Sequence, residues 1–494
     1  MKRIMRIAPS FRLSTLTAAI LLSLGGCAVG PAYERPTAPE PAAFKELQGW
    51  VPAAPADALE RGPWWTLFND PVLNELAAQV EVSNQNVAAA VANYAQARAL
   101  VAQQRASLFP VVTLNGSGTR SGTRGGGGSA TVDSNGNIIG GDRGGNASNN
   151  FRLSLGASWE PDVWGRLRAG VESAAASAQA SAADLASARL SAQGELVLDY
   201  FSLRSIDAQR AILAETIAGY ERVLKITRNR FDVGIVPHSD VYQAETQLAS
   251  TRSDDLALVS QRAQLEHAIA VLLGKAPSDF ALAPAEWNVT VPDVPVGVPS
   301  LLLQRRPDIA AAEREVAIAN AQIGIARAAY FPDIGLSASY GTAASRIGDV
   351  FDASAAAWSF GLSAAQTLFN AGATRASVEA ARASHQAAVA RYRQTVLTAF
   401  ANVEDQLTAT RVLVQQQEQR RIASEAASKV EEQVLNRYKA GQVAYSDVVQ
   451  AQVTALSARR SLIQVQADRQ TTAITLIQAL GGGWHVGQDE VATR

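Results

Sequence analysis

Hydrophobic and polar positions follow two rhythms along this chain, and each rhythm occurs twice. Ser83 to Pro110, "SNQNVAAAVANYAQARALVAQQRASLFP", aligns without a gap on Arg305 to Pro332, "RRPDIAAAEREVAIANAQIGIARAAYFP", 222 positions later. Each copy reads as an alanine-rich helix closed by an aromatic residue and a proline, which cannot continue a helix. Behind each proline the period falls to two. "IGLSASYG" (Ile334 to Gly341), "WSFGLSA" (Trp358 to Ala364) and "FRLSLGASW" (Phe151 to Trp159) set large apolar residues against Gly and Ser, while "VVTLNGSGT" after Pro110 alternates less cleanly. An apolar face and a small or polar face over roughly 9 to 11 residues suit a barrel wall between lipid and water. A half-buried strand in a soluble sandwich has the same period.

After the second strand of each copy, helical pattern runs unbroken from Gly165 to Phe231 and from Gly372 to Tyr438. Each stretch would extend about 100 Å, far beyond the few turns of an average helix. Ile206, Leu213, Ile217, Tyr220 and Leu224 step in heptad fashion, and alanine fills much of the rest, as in helices packed at close range. A glycine-centred turn follows: "NRFDVGIVPHSDVYQAE" from Asn229 returns as "NRYKAGQVAYSDVVQAQ" from Asn436, 207 positions on. Gly234 and Gly441 supply the permissive backbone of the two tip turns. Ser239 and Ser446, with Asp240 and Asp447, are expected to cap and charge the return helices, half as long, that end at "VLLGK" and "QALGG".

The pattern therefore predicts an α+β membrane protein built from two internal structural repeats, residues 63–279 and 300–481, joined by a linker at 280–299. A tail at 482–494 is expected in the equatorial region. Four strands cannot close a barrel, and open sheet edges are not tolerated in lipid. The chain must oligomerise, and eight, twelve or sixteen strands would all satisfy that demand.

The start of the chain supports a membrane address. Lys2, Arg3, Arg6 and Arg12 precede the apolar core "LSTLTAAILLSL", with Gly25 and Gly26 before Cys27. This is the layout of a cleaved signal, and "LGGC" resembles the bacterial lipobox. Residues 1–26 read as a lipoprotein signal peptide, Cys27 as the site of lipid attachment, and 27–62, rich in Pro and Ala, as a lipidated extended leader. By that resemblance, Ala28 rather than aspartate after the cysteine implies the outer membrane over the inner one. No segment offers the ~18 apolar residues of a spanning helix, so a crossing would have to be a closed β-barrel. With the signal peptide, the few short strands favour that barrel over a sandwich.

Composition narrows the alternatives. The 494 residues carry a formal net charge of -1, with no basic run to suggest nucleic acid. Cys27 is the sole cysteine, so no internal disulfide or cysteine-based zinc site exists. His238, His267, His385 and His485 lack paired ligand spacing and read as surface or packing residues. The Gly/Ser/Asn-rich stretch between the first two strands is expected to be a mobile loop, longer than its counterpart in the second copy. "RRPD" (Arg305 to Asp308) reads as a helix start with proline in its first turn. Trp64 and Trp65 suit an equatorial anchor, and Trp159 and Trp358 a membrane interface. No nucleophile–base pair appears, so the chain is not expected to be an enzyme, and no cofactor is implied beyond the covalent lipid.

Taken together, the lipobox with "VGPAYERP", the segment "WWTLFNDPVLNELAAQ", "LLLQRRPDIAAAE" and the paired "RF..G.V..SDV" and "RY..G.V..SDV" turns resemble the TolC-like outer membrane factors, more closely their NodT-type lipoprotein branch. The resemblance covers essentially the whole mature chain. It implies a homotrimer: a twelve-stranded outer-membrane β-barrel, four strands per chain, continuous with a periplasmic α-helical barrel. It also implies a passive exit duct for drugs or other small toxic compounds, working with a periplasmic adaptor and an inner-membrane pump of the resistance-nodulation-division class. By position, Asp240 matches a hydrogen-bonding partner at the periplasmic gate, Tyr438 the tyrosine that ties the second hairpin, and Asp447 one of two pore-narrowing aspartates. Gln450 stands where the second would be. Three copies of Asp447 around a threefold axis would attract cations. A type I secretion or metal-efflux duct would share this plan, although only two methionines give soft-metal transport no support. A non-conducting periplasmic coiled-coil scaffold would need neither the alternating strands nor their duplication.

Overall fold

The computed structural model describes residues 29–39, 41, 43–46, 63–122, 131–132, 138–139, 147–292, 294, 306–352 and 356–482. Cys27, most of the 280–299 linker's second half and most of the 482–494 tail lie outside the described residues.

Element order follows the repeat. A short 3-10 turn (Trp64–Phe68) and α1 (Pro71–Ser83) lead into α2 (Gln85–Ala106), β1 (Val111–Gly122), the small hairpin β2 (Thr131–Val132) and β3 (Ile138–Ile139), and β4 (Ala147–Trp159). Then come α3 (Arg166–Asp232) and α4 (His238–Leu272). The second copy runs α5 (Pro307–Ala328), β5 (Asp333–Ala344), β6 (Ala356–Ala365), α6 (Ala373–Lys439) and α7 (Tyr445–Ala479). Counterparts match in length: 22 residues for α2 and α5, 67 for α3 and α6, 35 for α4 and α7. The long uninterrupted helices expected from the pattern are present within one residue of their predicted ends.

The compact units cut across the repeats. One gathers residues 1–34, 98–177 and 316–387, the other 35–97, 178–315 and 388–494, so each takes pieces of both copies.

The first unit holds one antiparallel sheet in the order β1-β4-β5-β6. Its register sets Leu114 opposite Leu155, Leu155 opposite Tyr340 and Tyr340 opposite Trp358. Directly paired residues share a face, so these four, with Val112, Phe360 and Leu362, form one apolar surface, while Thr113, Ser154, Ser339 and Ser359 lie on the other. The apolar face is bare: Leu114 is 70%, Trp358 79% and Phe360 69% exposed. Among the described residues, β1 and β6 each pair on one side only. Strand structure reaches further into the glycine-rich stretch than its composition suggested. Ser121 and Gly122 pair with Ser148 and Ala147, because backbone ladder bonds do not require large side chains.

The second unit is built from antiparallel helices. The heptad positions Ile206, Leu213, Tyr220 and Leu224 are buried as the pattern demanded, with Ile217 partly buried. A charged clamp lies alongside: Arg204 and Arg262 both bind Asp207, at 3.2 and 2.7 Å, and Arg262 reaches Glu266. Arg204 also donates to the carbonyl of Ala283, and Glu266 accepts the Leu282 amide, which fixes the segment after α4. Burial of these charges is tolerable because each is partnered. Asp70 caps α1 by accepting the Val72 and Leu73 amides, and Tyr200 donates to its second oxygen at 2.6 Å. The leader is pinned in this unit too. Phe44 packs edge-on against Phe400, the Glu404 carboxylate accepts the amides of Lys45 and Glu46, and Arg411 pairs with Glu46. Trp64 and Trp65 are buried.

Candidate functional site

The two tip turns share one backbone design. Two residues past the ends of α3 and α6 stand glycines with φ of 76° (Gly234) and 75° (Gly441), the left-handed conformation that glycine adopts without a side-chain penalty. The Ile235 amide donates to Arg230 O at 2.8 Å and the Gln442 amide to Arg437 O at 2.9 Å, closing paired Schellman-type ends. The return helices then start at His238 and Tyr445, behind Pro237 and Ala444, which have identical dihedrals of φ -74° and ψ 158°. Ser239 and Ser446 do not cap: they lie inside the first turn, and neither N-cap residue makes a side-chain cap bond. Asp240 and Asp447 do occupy the first turns, where their charge meets the positive helix ends. Asp240 is half-buried and Asp447 exposed.

The tip packs around Tyr438, which is 2% exposed. Its ring lies 5.3 Å from that of Tyr445, in a cluster with Tyr220, Val241 and Val448. Its hydroxyl shares a hydrogen bond with Thr227 at 3.3 Å, and Arg230 lies over its ring at 4.6 Å while donating to its carbonyl at 2.6 Å. Tyr438 thus ties the second hairpin to the end of the first through three contacts. Burial pushes the Tyr220 phenol up to about 12 and raises that of Tyr445, where Tyr438, Tyr220 and Asp240 add to the effect. Both phenols stay neutral at physiological pH.

Val241, next to Asp240, packs in the Tyr438 cluster and Arg230 lies beside Gly441, while Asp447 is exposed in the first turn of α7. Sequence reading missed Arg230, Thr227 and Tyr445. Arg230 was legible as the arginine before each turn aromatic in the duplicated motif. Tyr445 was legible by position as the counterpart of His238: Phe231 stacks on His238 at 4.5 Å where Tyr438 meets Tyr445. No group of three or more metal-ligating side chains occurs among the described residues.

A bare apolar sheet face and half-paired edge strands, in a chain whose second unit is antiparallel long-helix hairpins, define an outer-membrane channel protein. The chain belongs to the outer membrane efflux protein family, whose model, described as "Outer membrane efflux protein", matches residues 76–275 and 298–482. It is similar to the probable efflux pump outer membrane protein TtgC of Pseudomonas putida, 32% identical over 94% of both chains. It is also similar to the cation efflux system protein CusC of Escherichia coli, 30% identical over 94% of this chain and 97% of that one. Its fold is similar to that of the outer-membrane channel OprN, with a TM-score of 0.83 and 30% identity, covering 93% of this chain and all of that chain. It is an outer membrane efflux channel protein, and its family transports.

Proposed function

We propose that three copies of this chain form the exit duct of a tripartite efflux system, with twelve strands closing a barrel in the outer membrane and the helices forming a periplasmic tube. One observation carries the reading: the four-stranded sheet exposes its apolar face and leaves both edge strands half-paired, and lipid tolerates neither an open edge nor an isolated sheet. Substrates would be drugs or other small toxic compounds, passing through a water-filled lumen without energy input. A periplasmic adaptor and an inner-membrane pump of the resistance-nodulation-division class would supply selection and energy. Cys27 carries the lipid that anchors the leader, and loss of palmitate labelling in Cys27→Ser tests that assignment.

The periplasmic gate lies at the tip. Tyr438 and Asp240 hold neighbouring hairpins together, and Asp447 from three copies rings the constriction. The test is channel recording in planar bilayers. Asp447→Ala should raise single-channel conductance and weaken cation preference. Unchanged conductance and preference would remove Asp447 from the constriction.

A further inference from the structure

We propose that a second copy of this chain docks on the face of α6 bearing Leu397 and Ala401, with Val271 of the incoming copy lying over both. This register rests on the oligomeric reading above and adds the residues that set it.

The template lies inside the chain. Near the end of α7, Gln478 lies over Gly194 of α3, so closely that a Cβ on Gly194 would come 1.5 Å from its Nε2. The same amide points to the Leu190 carbonyl at 3.5 Å. Gly482, just beyond, rests on Leu190: a Cβ there would meet Leu190 Cδ1 at 2.2 Å. This junction joins the first repeat's long helix to the second repeat's return helix.

Stepping each position by the repeat offset of 207 turns Leu190 into Leu397, Gly194 into Ala401 and Gln478 into Val271. The structure supports the equivalence. Asn84 Nδ2 donates to Leu272 O at 2.9 Å in the first copy, and Arg306 Nη1 donates to Ala479 O at 3.0 Å in the second. The return helices also end alike, with Lys275 N bonded to Ala270 O at 2.9 Å and Gly482 N to Ile477 O at 3.0 Å. Yet the counterpart surfaces are bare: Val271 is 63% and Leu397 46% exposed, and Ala401 is exposed. A closed ring of alternating repeats needs a second-to-first junction for every first-to-second one. Within one chain only the latter can form, so the α6 face must receive the first repeat of another copy.

Side-chain sizes agree at the central pair, while beside it Lys275 stands where Gly482 rests on Leu190, so the tip of Leu397 must turn aside. The in-chain junction sets a long glutamine over glycine; the proposed one sets a shorter valine over alanine, so the added methyl faces a smaller partner. The polar surroundings change in a complementary way. The in-chain junction encloses a groove of about 430 Å³ lined by Ser187, Ser191, Asn402 and Gln406 among others. At the counterpart positions stand Gln394, Thr398, Glu195 and Asp199. Carboxylates of one copy therefore face the amide and hydroxyl donors of the next.

The test uses the full chain in native membranes. Val271→Cys/Leu397→Cys, treated with an oxidant or a short bismaleimide, should yield covalent dimers and trimers on denaturing gels, while either single variant stays monomeric. An assembled oligomer on native gels with no cross-link would overturn the register and leave the oligomeric reading standing. A wild-type chain that runs as a monomer on native gels would overturn both. As a second measurement, Leu397→Arg should lower the temperature at which the oligomer dissociates, and adding Val271→Glu should restore it. Damage confined to one chain would not be rescued, and that result would also overturn the register.

Discussion

Single residues divide into those whose chemistry is set by burial and those set by position. Tyr438 belongs to the first group. Tyr438→Phe removes only the hydroxyl shared with Thr227, a loss of about 1 kcal/mol, whereas Tyr438→Ala also opens a cavity and should cost about 3–5 kcal/mol. Thermal unfolding of the detergent-solubilised protein would separate the two, and equal losses would mean that the ring does not pack as described. Asp199 shows burial acting on a charge. Burial first, then the nearby charge of Glu195, raises its carboxyl from 3.8 to about 6. A carboxyl raised in the fold binds its proton more tightly there than in the unfolded chain, so it opposes folding at neutral pH and relaxes that penalty as pH falls through about 6. In the separated monomer, where no neighbouring copy brings donors to it, Asp199→Asn should therefore raise the melting temperature at neutral pH, with the gain shrinking on acidification. A gain that grew on acidification would contradict this assignment.

At the scale of elements, the return helices show backbone geometry replacing side-chain chemistry. A serine followed by aspartate just after each glycine turn suits the cap of a return helix, and the duplicated "SDV" repeats the signal. The helices instead start earlier, at His238 and Tyr445, because Pro237 has a fixed φ and Ala444 adopts the same dihedrals without help. Ser446→Ala should accordingly change stability by no more than about 0.5 kcal/mol, as at an ordinary surface site. A genuine cap would cost about 1 kcal/mol. The long helices were fully legible, since alanine-rich heptad spacing over such a length admits no other regular structure.

For the whole molecule, the decisive surface is the sheet. Leu155 lies on its apolar face and Ser154, next in the chain, on the opposite one. If the apolar face meets lipid, Leu155→Arg should cost about 2–4 kcal/mol near the mid-plane of the bilayer. Ser154→Arg, pointing to water, should cost far less. Unfolding titrations in lipid vesicles would measure the difference, and reversed sensitivities would place lipid on the serine face.

The sequence by itself determined the duplication, the order and length of the helices, the alternation of the strands and the two glycine turns. Each of these depends on local periodicity or on one residue's backbone freedom. It also marked Tyr438, Asp240 and Asp447, though only through resemblance. Tertiary structure alone decided that Arg230 and Thr227 converge on Tyr438, that Leu114, Leu155, Tyr340 and Trp358 share one row, and that Val271, Leu397 and Ala401 are left uncovered. Those facts depend on contacts between residues far apart in the chain, and a local pattern carries no measure of which distant surfaces meet.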